Sequence, residues 1–292
     1  MNMSRTLFAL ATLLATTTAV AQQPAEAVFV QIADPQFGMF TEDADFVQET
    51  ANFEFAIANI NRLKPAFVVI CGDLINKPGD GAQRDEYLRI SAQLDPAIRL
   101  YAAAGNHDVG NAPTPESLRE YREHFGPDYY SFEDSGIYGI VLNSSLLVAP
   151  QAVSADADAQ ERWLIAELEK ARRSDARHIV VFQHYSWFIE HADEPDMYFN
   201  IPLETRRRYL ALFRDAGVRY LFSGHYHRNA LASDGPLEMI TSGPVGKPLG
   251  DGASGLRVVR VMHDRLEHQY FPFGNIPNAL DVPAQGPARS GL

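Results

Sequence analysis

The sequence predicts an α/β domain in which two packed sheets are flanked by helices. Apolar runs of strand length alternate with amphipathic stretches, strands without helices follow toward the end, and no internal repeat or Pro/Gly/Ser linker divides the middle. At 292 residues, 46% hydrophobic and 21% charged, the composition is that of a globular chain and excludes a disordered or collagen-like one. The 25 Lys+Arg against 37 Asp+Glu leave a formal charge of −12. Such an acidic chain is unsuited to binding a nucleic-acid backbone, which needs a basic face.

The elements follow in order. Residues 1–21 carry Arg5, an apolar stretch from Leu7 to Ala15 and Ala19-Val20-Ala21 before Gln22. A positive start, an apolar core and an A-x-A site form a bacterial-type secretory signal, so a secreted or periplasmic protein without a membrane span in the mature chain is expected. Val28–Ala33 reads as a strand, and residues 45–61 as a helix with Phe46, Phe53, Ile57 and Ile60 on one face. Lys64-Pro65 stops it before a buried strand over Ala66–Cys71. A short helix over 85–94, a strand over 99–104 and a helix over 115–124 come next. Tyr130–Glu133 and Gly136–Asn143 form two antiparallel strands. The helix over 156–173 buries Trp163, Leu164 and Leu168, and the one over 205–216 ends at Gly217, the position where a left-handed residue closes a helix. Strands are expected at 178–183, 218–223, 239–242, 256–262 and 266–271, the last pair turning at His263-Asp264-Arg265. One domain over residues 22–272 and a loosely held Pro/Gly-rich tail over 273–292 complete the organisation.

The unusual polar residues cluster at strand ends. Asp34-Pro35-Gln36 follows VFVQIA, Gly72-Asp73 follows AFVVIC, and Gly105-Asn106-His107-Asp108 follows RLYAAA. His184 follows IVVFQ, and Gly224-His225-Tyr226-His227 follows YLFS. In open α/β sheets the carboxyl ends of strands converge on one crevice where ligands bind. Taken singly, each residue reads as a turn residue, a helix cap or a buried histidine; five strands ending in such groups read as a metal site. Oxygen donors mixed with imidazoles suit Mn, Fe or Zn better than Ca or Mg. A pair of cations needs a bridging carboxylate, and Asp73, isolated from other acids, is the choice for it. The single cysteine, Cys71, can make neither an internal disulfide nor a thiolate cluster and reads as core. Phe53, Phe55 and Phe182 read as core, and His124, His178, His191, His263 and His268 as surface or interface residues.

In order, D-x-Q, GD, GNHD, H and GHYH resemble the five blocks of the calcineurin-like metallophosphoesterases, from about Val28 to Phe271. GNHD and GHxH at these separations are specific; GD alone is not. DPQFG, GNHDVGNAPT, FQH and FSGHYHRNA further resemble the branch of serine/threonine-protein phosphatases with a calcineurin-like phosphoesterase domain. The resemblance implies a four-layer α/β/β/α sandwich and a two-metal phosphoester hydrolase. It places Asp34, Gln36, Asp73 and His227 around one metal and Asp73, Asn106, His184 and His225 around the other. His107 would contact phosphate and donate a proton to the leaving oxygen, assisted by Asp108 or Asn76. Two departures stand out: Gln36 where the family usually has a histidine, and Gly72-Asp73-Leu74-Ile75-Asn76-Lys77-Pro78 where the protein phosphatases have GDxVDRG.

The expected reaction is in-line attack on phosphorus by a hydroxide that two cations generate near neutral pH. A phosphomonoesterase acting on a phosphorylated small molecule or phosphoprotein is the leading reading. A phosphodiesterase for cyclic nucleotides or glycerophosphodiesters, and a metal-binding module without catalysis, are the alternatives. Arg228, with Asn106, is a candidate for holding substrate phosphate; for Lys77 a solvated surface charge is the stronger reading. Tyr198, Phe199 and Asn200 are candidates for the pocket rim.

Overall fold

The computed structural model describes residues 27–280; the expected signal segment and the distal part of the tail lie outside the described residues. The chain runs β1 (Ala27–Ile32), α1 (Val47–Leu63), β2 (Phe67–Cys71), α2 (Gly81–Ser91), β3 (Arg99–Ala103), α3 (Asn106–Val109) and α4 (Pro115–Phe125). It continues through β4 (Tyr130–Asp134), β5 (Ile137–Val141), α5 (Ser145–Val148), α6 (Ser154–Ala171), β6 (His178–Phe182) and α7 (Leu203–Ala216). β7 (Tyr220–Ser223), β8 (Ala230–Asp234), β9 (Leu237–Thr241), β10 (Gly255–Val261) and β11 (Leu266–Pro272) close it. One sheet has the order β11-β10-β1-β2-β3 and the other β4-β5-β6-β7-β9-β8. β1, β2 and β3 run parallel, as do β5, β6, β7 and β9, while β10 pairs antiparallel with β1. These are the two mixed sheets of the expected four-layer sandwich.

The period of two in β1 shows how the layers arise. Val28, Val30 and Ile32 face α1, packing with Phe53, Ile57 and Ile60, while Ala27 and Phe29 turn into the space between the sheets. There Phe29 stacks on Phe67 at 4.7 Å and meets Phe182 and Phe222 edge-on at 5.9 and 5.7 Å, arrangements favoured by the ring quadrupoles. α6 and α7 cover the other outer face through Leu164, Leu168, Tyr209 and Phe213.

Several expectations need correction. α2 begins at Gly81, not at residue 85, because the Asp80 carboxylate caps it by accepting from Ala82 N and Gln83 N at 3.0 and 3.1 Å. β8 was not expected: its edge position gives only alternating partial burial, and the Asp234-Gly235 turn into β9 was its readable signal. Phe55 is not core but 46% exposed, set edge-on at 5.1 Å to Phe273. That contact, with Arg62 donating to Pro277 O at 2.9 Å, docks the first part of the tail against α1. His178 is buried rather than superficial, its Nε2 2.8 Å from Met262 O, whereas His124, His191 and His263 are exposed. His268 is half-buried and reaches Glu238 at 2.8 Å.

Candidate metal centre

The loops after β1, β2, β3, β6 and β7 meet at one place. Asp34 N donates to Gly72 O and Gln36 N to Asp73 O, at 3.1 and 2.9 Å, lacing the first two loops together. Gly224 N donates to His184 O at 3.1 Å, joining the last two. Asp34, Gln36, Asp73, His225 and His227 all adopt left-handed backbone, with φ of 51, 43, 53, 67 and 54°. Such conformations cost non-glycine residues about 1–3 kcal/mol and persist only where surrounding structure holds them. Strain concentrated in these five residues marks a constellation maintained for its side chains.

Asp73, His184 and His225 form one group of donors, and Asp34, Asp73 and His227 another, the ligand atoms of each lying within 4.8 Å of one another. Asp73 belongs to both, the position expected of a bridge. All five side chains are buried. Each histidine has one ring nitrogen on a main-chain carbonyl: His184 Nδ1 on Cys71 O at 2.9 Å, His225 Nε2 on Tyr198 O at 2.9 Å, and His227 Nδ1 on Lys247 O at 2.6 Å. A carbonyl only accepts, so these contacts assign the proton to the outer nitrogen and turn the other inward as a lone pair.

The inward atoms then face one another. His184 Nε2 lies 2.9 Å from Asn106 Oδ1, 3.1 Å from His225 Nδ1 and 3.2 Å from Asp73 Oδ2. Lone pairs so close need a positive charge between them. Burial disfavours a charged imidazole, yet Asp73 and Asp34 outweigh it and push His184 up to about 9; a proton there stands where a cation would. Burial likewise raises Asp34 to about 6, against the pull of His227 and His184. For Asp73 burial is the largest influence, but the combined attraction of His184, His107 and His225 overrides it and holds the carboxyl below its ordinary range. Burial, and then the neighbouring His184 charge, push His225 down to about 3. The donor set fits two divalent cations.

The neutral candidates are arranged for the same task. Gln36 Nε2 donates to Asn76 Oδ1 at 3.0 Å, while its Oε1 is buried without a hydrogen-bond partner. Asn106 Nδ2 donates to Asn111 Oδ1 at 2.9 Å, turning its Oδ1 toward His184. Asn76 therefore orients Gln36 with its side chain, itself held by Asp43 Oδ1 at 2.8 Å, and does not engage His107 with it. Its main-chain oxygen does: His107 Nδ1 lies 2.7 Å away, and His107 N donates to Asp73 Oδ1 at 2.9 Å. Asp108 also differs from expectation. Its carboxylate accepts from Gly105 N, Leu74 N and Ile75 N at 2.7, 2.8 and 3.1 Å, so it ties the second and third loops together instead of assisting His107.

Arg228 lies 4.6 Å over the Tyr226 ring and against Gly250, and Lys77 is exposed. Tyr198 and Phe199 sit beside His225, with ring centroids 4.9 and 5.7 Å from its imidazole. Asn200 is buried beneath them on Glu194. Sequence reasoning missed the loop after β9. Val245 N and Gly246 N donate to Ala33 O and Asp34 O at 2.8 and 2.9 Å, and Lys247 supplies the carbonyl that holds His227. Its signal was Gly243-Pro244-Val245-Gly246-Lys247-Pro248 at a sixth strand end. At this centre the glycines are tightly packed: a Cβ on Gly105 would run into Oδ1 and the main-chain N of Asp73. Gly105→Ala is therefore expected to displace Asp73 and lower the bound metal by at least half, read by elemental analysis; a fully metallated variant would refute the packing argument.

The fold and donor set define a dinuclear metallohydrolase of the phosphoesterase kind. The model of the calcineurin-like phosphoesterases matches residues 27–229, and the chain belongs to that family. The serine/threonine-protein phosphatase CPPED1 of Homo sapiens is 40% identical over 259 residues, covering 83% of this chain and 82% of that protein. Its Mus musculus counterpart is 37% identical over 279 residues, covering 90% and 87%. Among solved structures, a dimetal phosphatase from Danio rerio superposes with a TM-score of 0.65 at 15% identity, covering 85% of this chain and 97% of that one. Purple acid phosphatase PPD1 from yellow lupin seeds superposes with a TM-score of 0.64 at 13% identity, covering 87% and 53%. At those identities the two structures speak to the fold. The matched segment ends before β10 and β11, yet β10 pairs with β1 from Ala27↔Val261 to Gln31↔Arg257, so the sheet needs them.

Proposed function

We propose that this phosphoesterase is a phosphomonoesterase, with His107 as the general acid. The observation that carries the reading is His107 itself. Its main-chain N–H donates to the shared carboxylate of Asp73, its Nδ1–H donates to Asn76 O, and among the described residues its half-buried ring has no hydrogen-bond partner at Nε2, which is placed to carry a proton to a leaving oxygen. Asp34, Gln36, Asp73 and His227 would hold one cation, and Asp73, Asn106, His184 and His225 the other. Mn, Fe and Zn all suit these mixed donors. When bound, the cations supply a nucleophile at neutral pH and neutralise the phosphoryl charge.

The chain's own residues do the rest. Main-chain carbonyls of Cys71, Tyr198 and Lys247 fix the imidazole tautomers, Asn76 aims the Gln36 oxygen, and Asp108 holds the loops that carry Asp73 and His107 in register. In this reading Arg228 steadies the phosphate from the side of His227. The substrate is a phosphorylated small molecule or phosphoprotein; relatives named as serine/threonine phosphatases support a monoester of this kind. Export through the N-terminal segment is part of the same proposal, since residues 1–21 have a charged start, an apolar core and an A-x-A site. Among the described residues no helix is long and apolar enough to cross a membrane.

The test uses full-length protein reconstituted separately with Mn, Fe and Zn, assayed on p-nitrophenyl phosphate and its bis-ester. The expected outcome is a preference for the monoester of about tenfold or more, lost on chelation. A reversed preference would establish the diesterase, and metal uptake with neither activity the non-catalytic module.

A further inference from the structure

We infer that Tyr198 touches the substrate, its hydroxyl donating to a phosphoryl oxygen and its ring forming a wall that favours esters with a flat aromatic leaving group. This rests on the phosphomonoesterase reading. The loop between β6 and α7 is built to hold this side chain still. The Glu194 carboxylate accepts from Ile189 N, Glu190 N and His191 N at 2.8, 2.8 and 3.0 Å, and from Asn200 Nδ2 at 2.7 Å. Beneath it the fully buried Arg206 guanidinium donates to the carbonyls of Ala192, Glu194 and Ile201. A buried guanidinium spent on main-chain oxygens alone is a costly way to order a surface loop, and what that loop presents at the metal centre is Tyr198.

Three contacts locate the residue. Its carbonyl accepts from His225, its ring lies beside the same imidazole, and its hydroxyl oxygen is 3.5 Å from Asn106 Nδ2. Asn106 Nδ2 can only donate, so the phenolic proton is directed elsewhere, and among the described residues no acceptor takes it. The phenol thus sits beside Asn106 and His225, two of the four residues that would hold the second cation, with its O–H unused among the described residues and suited to an oxyanion bound there. Tyr198 is 58% exposed, and Met197 beside it is 45% exposed. Large apolar surface left open at the mouth of a polar, charged centre fits a leaving group that stacks, because aromatic faces attract one another beyond the area they bury.

The experiment compares wild type with Tyr198→Phe and Tyr198→Ala, each fully metallated. It measures metal content, inhibition by inorganic phosphate, and kcat/KM for phenyl phosphate and ethyl phosphate. Taking the ratio to wild type for each ester cancels their different intrinsic reactivities. Tyr198→Phe should weaken phosphate inhibition about tenfold, slow both esters equally and leave metal content unchanged. Tyr198→Ala should add a loss of about fivefold on phenyl phosphate alone. Unchanged inhibition by phosphate in Tyr198→Phe overturns the hydrogen bond, and metal loss in that variant shows that the hydroxyl only positions Asn106. Equal losses on both esters in Tyr198→Ala overturn the wall. A wild type that neither binds phosphate nor cleaves either ester overturns the inference through the reading beneath it.

Discussion

Asp73→Asn is expected to strip both cations and to lower turnover of p-nitrophenyl phosphate by about 10³-fold or more, the several kcal/mol that metal catalysis supplies. The substitution keeps the volume of the side chain and an oxygen able to accept from His107 N, so the tight packing over Gly105 is preserved. What it removes is the charge common to both donor groups. Asp34 is then the one carboxylate facing two cations, and their mutual repulsion has no shared anion to offset it. Elemental analysis gives the metal content and denaturant unfolding shows whether the fold survives. A folded Asp73→Asn protein with full metal and full activity would sink the bridging role and with it the dinuclear mechanism.

Much of this centre was legible because its chemistry is written in side chains. Asp34, Asp73, Asn106, His184, His225 and His227 each follow a run of apolar residues, and the carboxyl ends of parallel strands meet by topology. The layers were legible for the same reason: Val28, Phe29, Val30 and Ile32 alternate, and Phe53, Ile57 and Ile60 recur at helical spacing. What escaped notice depends on the main chain, which is alike in every residue. Nothing in the letters distinguishes the carbonyls of Cys71, Tyr198 and Lys247 that set the histidine tautomers, or the Asn76 carbonyl that holds His107. Asn76 does hold His107, but by its carbonyl and not by its amide, and Asp108 ties loops together instead of assisting His107. Each was read as a side chain near His107, whereas the backbone turns them toward Gln36 and toward three N–H groups. β8 escaped because an edge strand needs little apolar surface to pair on one side.

His107→Ala separates the metal centre from the proton it needs. His107 belongs to neither group of metal-holding residues, and its ring is anchored from outside by the Asn76 carbonyl. Its main-chain N–H, which contacts Asp73, survives the substitution. Metal content and phosphate inhibition should therefore stay within about twofold of wild type, while turnover of a monoester with a poor leaving group falls about 10²–10⁴-fold, the usual contribution of a general acid. The loss must shrink as the leaving oxygen becomes less basic, because an alkoxide needs the proton and a nitrophenoxide hardly does. A plot of log kcat/KM against leaving-group pKa should accordingly steepen in the variant. Parallel lines for variant and wild type would mean that His107 holds phosphate and transfers no proton, and the acid would have to be sought in another group at the mouth of the centre.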